Sequence, residues 1–268
     1  MKVLVGLSGG VDSAVAAYLL KEEGYDVTCA FMRNWDSLTN NDILGNPTIL
    51  DETCSQELDY QDAKRVADHL GLPLLRVDYV KEYWDHVFTY FIEETERGNT
   101  PNPDILCNQF VKFDAFYDFM VESGFDRLAM GHYAKIKDGQ MYRANDSNKD
   151  QTYFLSRVNP DILDNVLFPL GDLTKEEVRD IALRENIPVA SKKDSTGICF
   201  IGERHYRDFL KNYVKDREGE IIDIDTDTVV GTHSGVMFYT VGQRHGLNIS
   251  GFMGPWFVVG KDLSTTRL

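Results

Sequence analysis

The hexapeptide Ser8-Gly9-Gly10-Val11-Asp12-Ser13 follows an apolar run at 3–7 and precedes a helical pattern. Glycines let a backbone approach phosphate closely, and the unpaired amides of a helix N-terminus favour an anion. Ser8 and Ser13 add hydroxyl donors, and Asp12 offers a carboxylate to a magnesium ion. The spacing therefore predicts a nucleotide-phosphate site rather than an ordinary strand-to-helix turn.

This loop differs from both of the commoner phosphate loops, because the sequence contains neither G-x-x-x-x-G-K-[ST] nor G-x-G-x-x-G. Residues 8–13 instead resemble the pyrophosphate loop of the ATP pyrophosphatases. That resemblance implies splitting of ATP between its α and β phosphates and adenylation of a carbonyl oxygen. By itself the loop leaves open both amide-forming synthetases and tRNA-thiolating enzymes.

Two cysteines lie in loop contexts that indicate chemistry. Cys107 ends a segment with two prolines, and a helix predicted to begin near Asn108 would favour its thiolate. Asp104, three residues earlier, is close enough to handle protons. Cys199 follows Lys192 and Lys193, which also favour a thiolate.

The other two cysteines indicate less. Cys29 lies in an apolar run and is expected to be a small buried residue. Cys54 lies near a predicted helix start, where a structural role is favoured over a chemical one. No C-x-x-C occurs, so the sequence predicts no zinc ribbon and no metal centre in the protein itself.

Length and composition bound the class of protein. The 268 residues are 43% apolar, with no apolar stretch of the roughly 20 residues that span a bilayer. The N-terminus passes directly into the first predicted strand, so we expect a cytoplasmic protein with no membrane partner. The net charge of −15 argues against nucleic acid binding, although the basic clusters at 192–193 and 204–207 are candidate phosphate contacts.

Strand and helix patterns alternate through most of the chain. Strand-type runs are predicted at 3–7, 26–32, 72–78 and 127–131, and helices at about 12–23, 57–70, 81–97 and 108–123. This alternation predicts an α/β fold, an open parallel sheet with helices on both faces. Ligands of such sheets bind beyond the carboxyl ends of the strands, where Ser8, Met32 and Gly131 all fall.

The second half of the chain has a different pattern. A hairpin is predicted at 135–145, helices near 150–157, 174–185 and 203–214, and strands at 220–224, 236–241 and 256–259. We predict a catalytic domain with a helical extension at 1–202 and a small β-rich domain at 203–268. The stretch 36–50 is predicted to be a long mobile loop with no assigned role.

Six blocks in order resemble the tRNA 2-thiouridylase family, which replaces O2 of the wobble uridine in certain tRNAs with sulfur. The blocks are SGGVDS (8–13), TPNPDILCN (100–108), GHYA (131–134), NKDQTYFL (148–155), KDSTGICFIGER (193–204) and TVGQRHGL (240–247). Family members continue into a C-terminal β-barrel, and this sequence ends where that barrel would begin.

The resemblance implies roles for individual residues. Cys199 would carry a persulfide, Cys107 would be the nucleophile that liberates the sulfur, and Asp104 would be the acid/base group. The turnover would leave a Cys107–Cys199 disulfide. ATP would contact Gly6, Leu7, Ser8, Gly9, Gly10, Val11, Asp12, Ser13, Met32 and Gly131. The target base would meet Asn102, Pro103 and Asp104, and tRNA would meet Lys149, Asp150 and Gln151.

The resemblance also implies several partners. They are ATP with Mg²⁺, a tRNA with a wobble uridine (of the lysine, glutamate and glutamine acceptors), and a sulfur-relay protein or cysteine desulfurase. His132 either contacts tRNA or is a satisfied structural histidine. The alternatives are an amide-forming ATP pyrophosphatase that needs no thiols, and a nucleotide-binding module without catalysis.

Overall fold

The structure is a computed structural model that describes residues 1–44, 46, 55–194, 206–249 and 255–268. Its strands are β1 (Lys2–Gly6), β2 (Asp26–Arg33), β3 (Leu74–Asp78), β4 (Arg127–Ala129), β5 (Ala134–Lys137), β6 (Gln140–Arg143), β7 (Val166–Leu167), β8 (Gly219–Asp223) and β9 (Thr228–His233). Its α-helices are α1 (Val11–Glu22), α2 (Ser55–Leu70), α3 (Val80–Tyr83), α4 (Thr89–Glu96), α5 (Pro103–Leu106), α6 (Phe116–Glu122), α7 (Lys175–Arg184) and α8 (Tyr206–Leu210).

The main sheet is parallel throughout, with the strand order β3-β2-β1-β4-β7. The chain builds outward from β1 to β3, then crosses back to place β4 on the other side of β1. Strand order therefore reverses between β1 and β4, and the carboxyl end of that junction is the ligand crevice of open α/β sheets. The predicted nucleotide loop, residues 6–13, begins at this junction.

Side chains on both faces of the central strands β1, β2 and β4 are buried, because side chains alternate along each strand. Val3 and Val5 of β1 pack with α1, α2 and α7, whereas Leu4 packs with the helical runs at 80–96 and 103–122. Burying an aliphatic side chain of this size contributes about 1.5–3 kcal/mol. The predicted α/β fold with helices on both faces is therefore confirmed.

Two of the helical runs contain π-helical turns. One turn, Trp84–Phe88, joins α3 to α4, and the other, Cys107–Ala115, joins α5 to α6. The second contains a break in helical geometry at Phe113. Such turns insert an extra residue and are frequent at functional sites.

Two of the local predictions agree with the structure, and a third does not. The hairpin β5–β6 turns at Asp138 and Gly139, both at positive φ, as a two-residue hairpin turn requires. Helix α7 has Thr174 as its N-cap, in a capping box with Glu177. The predicted helix at 150–157 is instead a short 3₁₀ turn, Thr152–Leu155.

Other predictions were wrong. Residues 236–241 form a 3₁₀ turn and a loop, and 256–259 lie in no strand, because Val258 bonds to the turn at 242–243. The helix predicted from 108 begins at Pro103. The edge strand β7 was not predicted at all.

The helix α8 and the residues after it pack onto the α/β fold. Phe209 and Tyr213 lie against Trp35 and Phe88 in one aromatic cluster. The side chain of Asn212 accepts the amides of Ile43 and Leu44 at 3.2 and 2.8 Å and donates to the carbonyl of Leu44 at 3.1 Å. These contacts hold the described part of the loop predicted at 36–50 against α8.

Candidate functional site

The loop after β1 is shaped by hydrogen bonds within itself. The hydroxyl of Ser13 accepts the amide of Ser8 at 3.1 Å and donates to the carbonyl of Gly10 at 3.1 Å. Gly10 is the N-cap of α1 and has no side chain that could satisfy the amides of the first turn. Those amides are therefore oriented for an anionic ligand.

At two glycines of this site a side chain would meet backbone atoms, and at a third it would meet a methionine side chain. A Cβ at Gly9, where φ is +78°, would lie 2.3 Å from the carbonyl oxygen of Asp59. At Gly131 a Cβ would lie 2.8 Å from the amide nitrogen of Ser13, and at Gly6 it would lie 2.5 Å from the sulfur of Met130. Gly131 thus lets the segment after β4 lie directly against the start of α1, and Gly9 lets the loop lie directly against α2.

Met32, predicted to contact adenine, lies near the end of β2 and is 6% exposed. It belongs to the same buried cluster as Met130 at the end of β4. The structure thus brings the predicted ATP residues of 6–13, Met32 and Gly131 to one end of the sheet.

Asp12, in the first turn of α1, is held by two side chains from distant parts of the chain. The amine of Lys175 lies 2.6 and 2.8 Å from its two oxygens, and the hydroxyl of Tyr133 donates to it at 2.8 Å. Burial, followed by the charge of Asp12, raises the pKa of Tyr133, so that this phenol remains a donor. One such carboxylate, with substrate phosphates, is an ordinary set of ligands for magnesium.

Asp194 forms ion pairs with three cations, one of which, Lys175, also pairs with Asp12. Its carboxylate oxygens are 2.7 Å from the amine of Lys149, 2.8 Å from that of Lys175 and 2.6 Å from the guanidinium of Arg179. Burial alone would raise the pKa of Asp194, but these hydrogen bonds and charges hold it well below its usual value.

Lys192 was a candidate for a tRNA contact or for activating Cys199, but its amine bonds to two carboxylates and a backbone carbonyl. Its amine bonds to Asp59 at 2.8 Å, to Asp62 at 2.7 Å and to the carbonyl of Gly9 at 3.1 Å. Burial alone would lower the pKa of Lys192, but the two carboxylates raise it. In this structure Lys192 therefore braces the glycine turn of the loop.

Cys107 lies inside a helical run and is 0% exposed. Because α5 begins at Pro103 with Asn102 as its N-cap, Cys107 lies beyond the first helical turn. The predicted helix start at Asn108 is therefore wrong. The helix dipole acts mainly within the first turn, so it does not favour a thiolate at Cys107. Asp104 stands three residues before Cys107 on this run, a spacing that places two side chains on the same helix face.

Asn108 and His132 are buried polar residues near this cysteine and the end of β4. Asn108 donates to the carbonyl of Phe154 at 2.9 Å, while its own side-chain oxygen and Nδ1 of His132 have no partner. Burial, with a smaller effect of the Lys112 charge, lowers the pKa of His132 well below its ordinary value. The imidazole is thus neutral at neutral pH, packed between Phe113 and Phe168.

The predicted tRNA residues 149–151 have bonds within the protein. The oxygens of Asp150 accept the amide of Ala144 at 3.0 Å and the hydroxyl of Thr152 at 2.7 Å. The side-chain oxygen of Gln151 accepts the amide of Tyr133 at 2.9 Å. Together with the Lys149–Asp194 pair, these bonds connect 149–151 to the nucleotide loop.

Cys199 and Cys54 lie outside the described residues, so the Cys107–Cys199 pairing stays a prediction. Cys29 is buried in β2, and burial raises the pKa of its thiol to about 12, as suits the predicted structural residue. Across the described ranges, no group of three or more histidines, cysteines or acids could hold a metal. None of the helices described there is long and apolar enough to cross a membrane.

Sequence reasoning missed Tyr133, Lys175, Arg179 and Asp194 as parts of the site. Tyr133 and Asp194 carried a signal, because each lies within one of the six recognised blocks. Lys175 and Arg179 carried none, since they reach Asp12 and Asp194 only through the packing of α7 against α1.

Comparisons with known proteins cover the chain almost from end to end. The family model described as the tRNA methyl transferase HUP domain matches residues 1–203, and the tRNA methyl transferase PRC-barrel domain matches 207–268. Among solved structures, an NMN synthetase from Francisella tularensis is similar at a TM-score of 0.40 and 17% identity, over 72% of this chain and 66% of that one. That likeness is too weak to carry an argument.

Curated relatives are much more similar. The tRNA-specific 2-thiouridylase MnmA of Mycoplasma mycoides subsp. mycoides SC is 58% identical over 274 residues, covering 100% of this chain and 73% of that protein. The protein of the same name from Mycoplasmopsis pulmonis is 57% identical over 268 residues, covering 100% and 72%. With identity this high along its whole length, the chain belongs to the tRNA-specific 2-thiouridylase family.

Proposed function

We propose that the chain is an ATP-dependent tRNA-uridine 2-sulfurtransferase that replaces O2 of the wobble uridine with sulfur. The observation that supports the proposal is that one fold holds both a buried thiol and a nucleotide loop. Cys107 belongs to the same buried cluster as Met32 and Met130, which lie near the carboxyl ends of β2 and β4. An amide-forming synthetase has no use for that thiol.

The first half of the reaction activates a poor electrophile. Uridine O2 attacks the α phosphate of ATP, the bond to the bridging oxygen breaks, and pyrophosphate leaves with the electron pair. The uridine loses its N3 proton as C2=N3 forms, and Asp104 is the group we assign to accept it. Residues 6–13, with Met32 and Gly131, would hold the nucleotide, and Asp12 would hold Mg²⁺ together with its phosphates.

The second half delivers sulfur. The terminal sulfur of a persulfide on Cys199 attacks C2 and displaces AMP, and the thiolate of Cys107 then attacks the Cys199 sulfur. The C2 thiocarbonyl is released and the two cysteines are left as a disulfide. Alternatively, Cys107 cleaves the persulfide first and hydrosulfide attacks C2. In both routes two thiol electrons reduce the transferred sulfur, so each turnover needs a dithiol reductant and a fresh sulfur donor.

The burial of Cys107 sets a requirement on the tRNA. Because the side chain is 0% exposed, binding of tRNA must open a path from the surface to this sulfur. An anticodon base must also leave its stack to reach this sulfur. We assign recognition of this base to Asn102, Pro103 and Asp104, and contacts with the neighbouring tRNA to 149–151 and His132.

Further parts of the proposal concern the cell. The tRNAs are those for lysine, glutamate and glutamine, and sulfur arrives from a cysteine desulfurase or a relay protein. The cytoplasmic location remains a prediction, as does the division into domains at 1–202 and 203–268.

Mass spectrometry of tRNA tests the proposal. The protein is incubated with ATP, Mg²⁺, a dithiol reductant, unmodified tRNA, and cysteine with a cysteine desulfurase. The expected result is sulfur at the wobble uridine, lost in Cys107→Ser and in Cys199→Ser. Pyrophosphate release without sulfur gain, and unchanged in both variants, would overturn the proposal in favour of the amide-forming class.

A further inference from the structure

One aromatic side chain near the buried thiol is exposed at the surface. Tyr153 is 65% exposed, the highest value among the tyrosine, phenylalanine and tryptophan side chains that the structure describes. Its ring meets that of Phe154 edge-on, with the centroids 5.5 Å apart, and its hydroxyl has no hydrogen-bond partner among the described residues. Single exposed apolar side chains are common on protein surfaces, so the position of this ring must decide its role.

The 3₁₀ turn that carries Tyr153 is held by hydrogen bonds on both sides of this residue. Before it, the amide of Gln151 donates to the carbonyl of Tyr133, and the side-chain oxygen of Gln151 accepts the Tyr133 amide, both at 2.9 Å. After it, the side chain of Asn108 donates to the carbonyl of Phe154 at 2.9 Å. The ring is therefore carried by a fixed backbone, which lowers the entropy lost when it binds a ligand.

The inner side of the same turn packs with the buried thiol. Leu155 is 2% exposed and belongs to the same buried cluster as Cys107. Helix α5, which contains Asp104, packs against the turn. Tyr153 therefore lies at the surface between α5, assigned to the target base, and 149–151, assigned to the neighbouring tRNA.

Extrusion of a base from an anticodon stack leaves its neighbour without a stacking partner. The target uridine must travel inward to Cys107, whereas a ring at the surface can meet only a base that stays outside. An aromatic ring in the vacated place restores the lost stacking, and it accepts any base because every base has a π face. Tyr153 has the exposure and the location that such a ring requires.

We propose that Tyr153 is a stacking platform for the anticodon base next to the target uridine, and that its ring takes the place that the uridine leaves. The inference rests on the proposed function and specifies how the substrate is held. By holding the neighbouring base, the ring stabilises the extruded state in which the uridine reaches Cys107.

Two substitutions of Tyr153 separate its ring from its hydroxyl. In Tyr153→Ala the affinity for the tRNA, measured without a sulfur donor, should fall by about 5- to 150-fold, the range for loss of one stacked base. In Tyr153→Phe, which keeps the ring, it should change by less than about twofold. Tyr142→Ala is the matched control, because Tyr142 is also exposed, at 47%, but lies on the β5–β6 hairpin, and it should leave tRNA affinity unchanged.

Modified RNAs identify the base. A tRNA with a synthetic anticodon arm carries an abasic nucleotide on the 5′ or on the 3′ side of the target uridine. One of these two RNAs should bind equally well to the unsubstituted protein and to Tyr153→Ala, because nothing is left to stack. With 2-aminopurine at that position, the bound RNA should fluoresce more with Tyr153→Ala than with Tyr153→Phe, since stacking quenches this base.

Four results would overturn the platform. They are unchanged tRNA affinity in Tyr153→Ala, an equal loss in Tyr153→Phe, which would assign the contact to the hydroxyl, a loss that persists with both abasic RNAs, and a parallel fall in ATP affinity and in stability to urea, which would assign the ring to the fold. Failure of the proposed function is separate, since it would appear as absent thiolation by the unsubstituted protein while the tRNA affinities still follow these differences.

Discussion

The nucleotide end of the sheet and the helical run that carries Cys107 differ in the polarity of their surroundings. Around Asp12 and Asp194, charged side chains converge from four separate parts of the sequence. Around Cys107, the neighbours in the run are the buried apolar residues Leu106 and Val111. One region is ionic and the other is largely apolar.

The difference corresponds to the two halves of the proposed reaction. Phosphoryl transfer develops charge that fixed cations, amides and a metal ion stabilise. Sulfur transfer needs an activated uridine protected from water, which an enclosed apolar site provides. The comparison predicts that mutations in the two regions will affect separable steps.

The largest effect should come from Cys107→Ser, which removes the nucleophile of the enclosed region. We expect tRNA thiolation to fall by at least about 1,000-fold, with the affinity for ATP unchanged. Cys29→Ala is the matched control, because Cys29 is equally buried but lies in β2, and it should retain thiolation. Loss of ATP binding in Cys107→Ser would show that the two regions are not separable.

A smaller but still large effect should come from Gly9→Ala in the ionic region. A methyl group there would meet the Asp59 carbonyl oxygen at 2.3 Å, so the loop must shift away from its phosphate geometry. We expect ATP affinity to fall by about tenfold or more and unfolding to become easier by more than the roughly 1–2 kcal/mol of left-handed strain.

Gly24→Ala separates that clash from strain alone. Gly24 has φ +84°, and a methyl group at its Cβ position would have nothing within 4 Å, so only the strain should appear and ATP affinity should be retained. Urea unfolding and ATP titration measure the two quantities, and equal results for both variants would refute the close-approach argument.

A modest effect is expected from Tyr133→Phe, which removes the hydroxyl donor to Asp12. Losing one such hydrogen bond should raise the Kd for ATP with magnesium by about two- to tenfold. Tyr142→Phe is the control, because its hydroxyl bonds to Gln140 in the exposed part of a hairpin at 3.2 Å. Unaltered binding in Tyr133→Phe would remove this hydroxyl from the ionic site.

The smallest effect concerns His132 and pH. Its pKa is lowered in the folded protein, so below the ordinary value near 6.5 the unfolded chain binds a proton that the folded one does not. The free energy of unfolding should therefore fall as pH drops from 7.5 to 5.5, by at most about 1.4 kcal/mol per unit from this group. Urea unfolding of His132→Gln at both values should show a smaller fall, and an equal fall would contradict the assignment.

How much of the molecule was predictable depended on how local each signal is. The loop at 8–13 was predictable because its glycines and hydroxyls lie in six consecutive residues between a strand and a helix. The helix start at Asn102 and Pro103 was also legible, as an N-cap followed by proline at the first helical position, yet the predicted start at 108 is five residues late. The two-residue β7 was too short to give a pattern.

Long-range pairings carried no such signal. Lys175 lies 163 residues from Asp12, and nothing in the composition of α7 indicates that its first residue reaches the loop. The strand predicted at 236–241 failed because its apolar residues, among them Val236 and Phe238, are buried by a 3₁₀ turn instead. The periodicity of apolar residues predicts that a side chain is buried. Tertiary contacts determine the backbone conformation in which it is buried.

Asn212 and Phe209 contact the loop after β2, and these contacts should keep the two parts of the chain associated. The boundary between the two family matches lies near residue 205, yet Phe209 and Asn212 on one side of it contact Trp35 and Leu44 on the other. Pulling Phe209 away from Trp35 would expose both rings to water and leave the amide of Leu44 without its acceptor. A protease cut at that boundary should therefore yield two fragments that stay associated and melt in one cooperative transition.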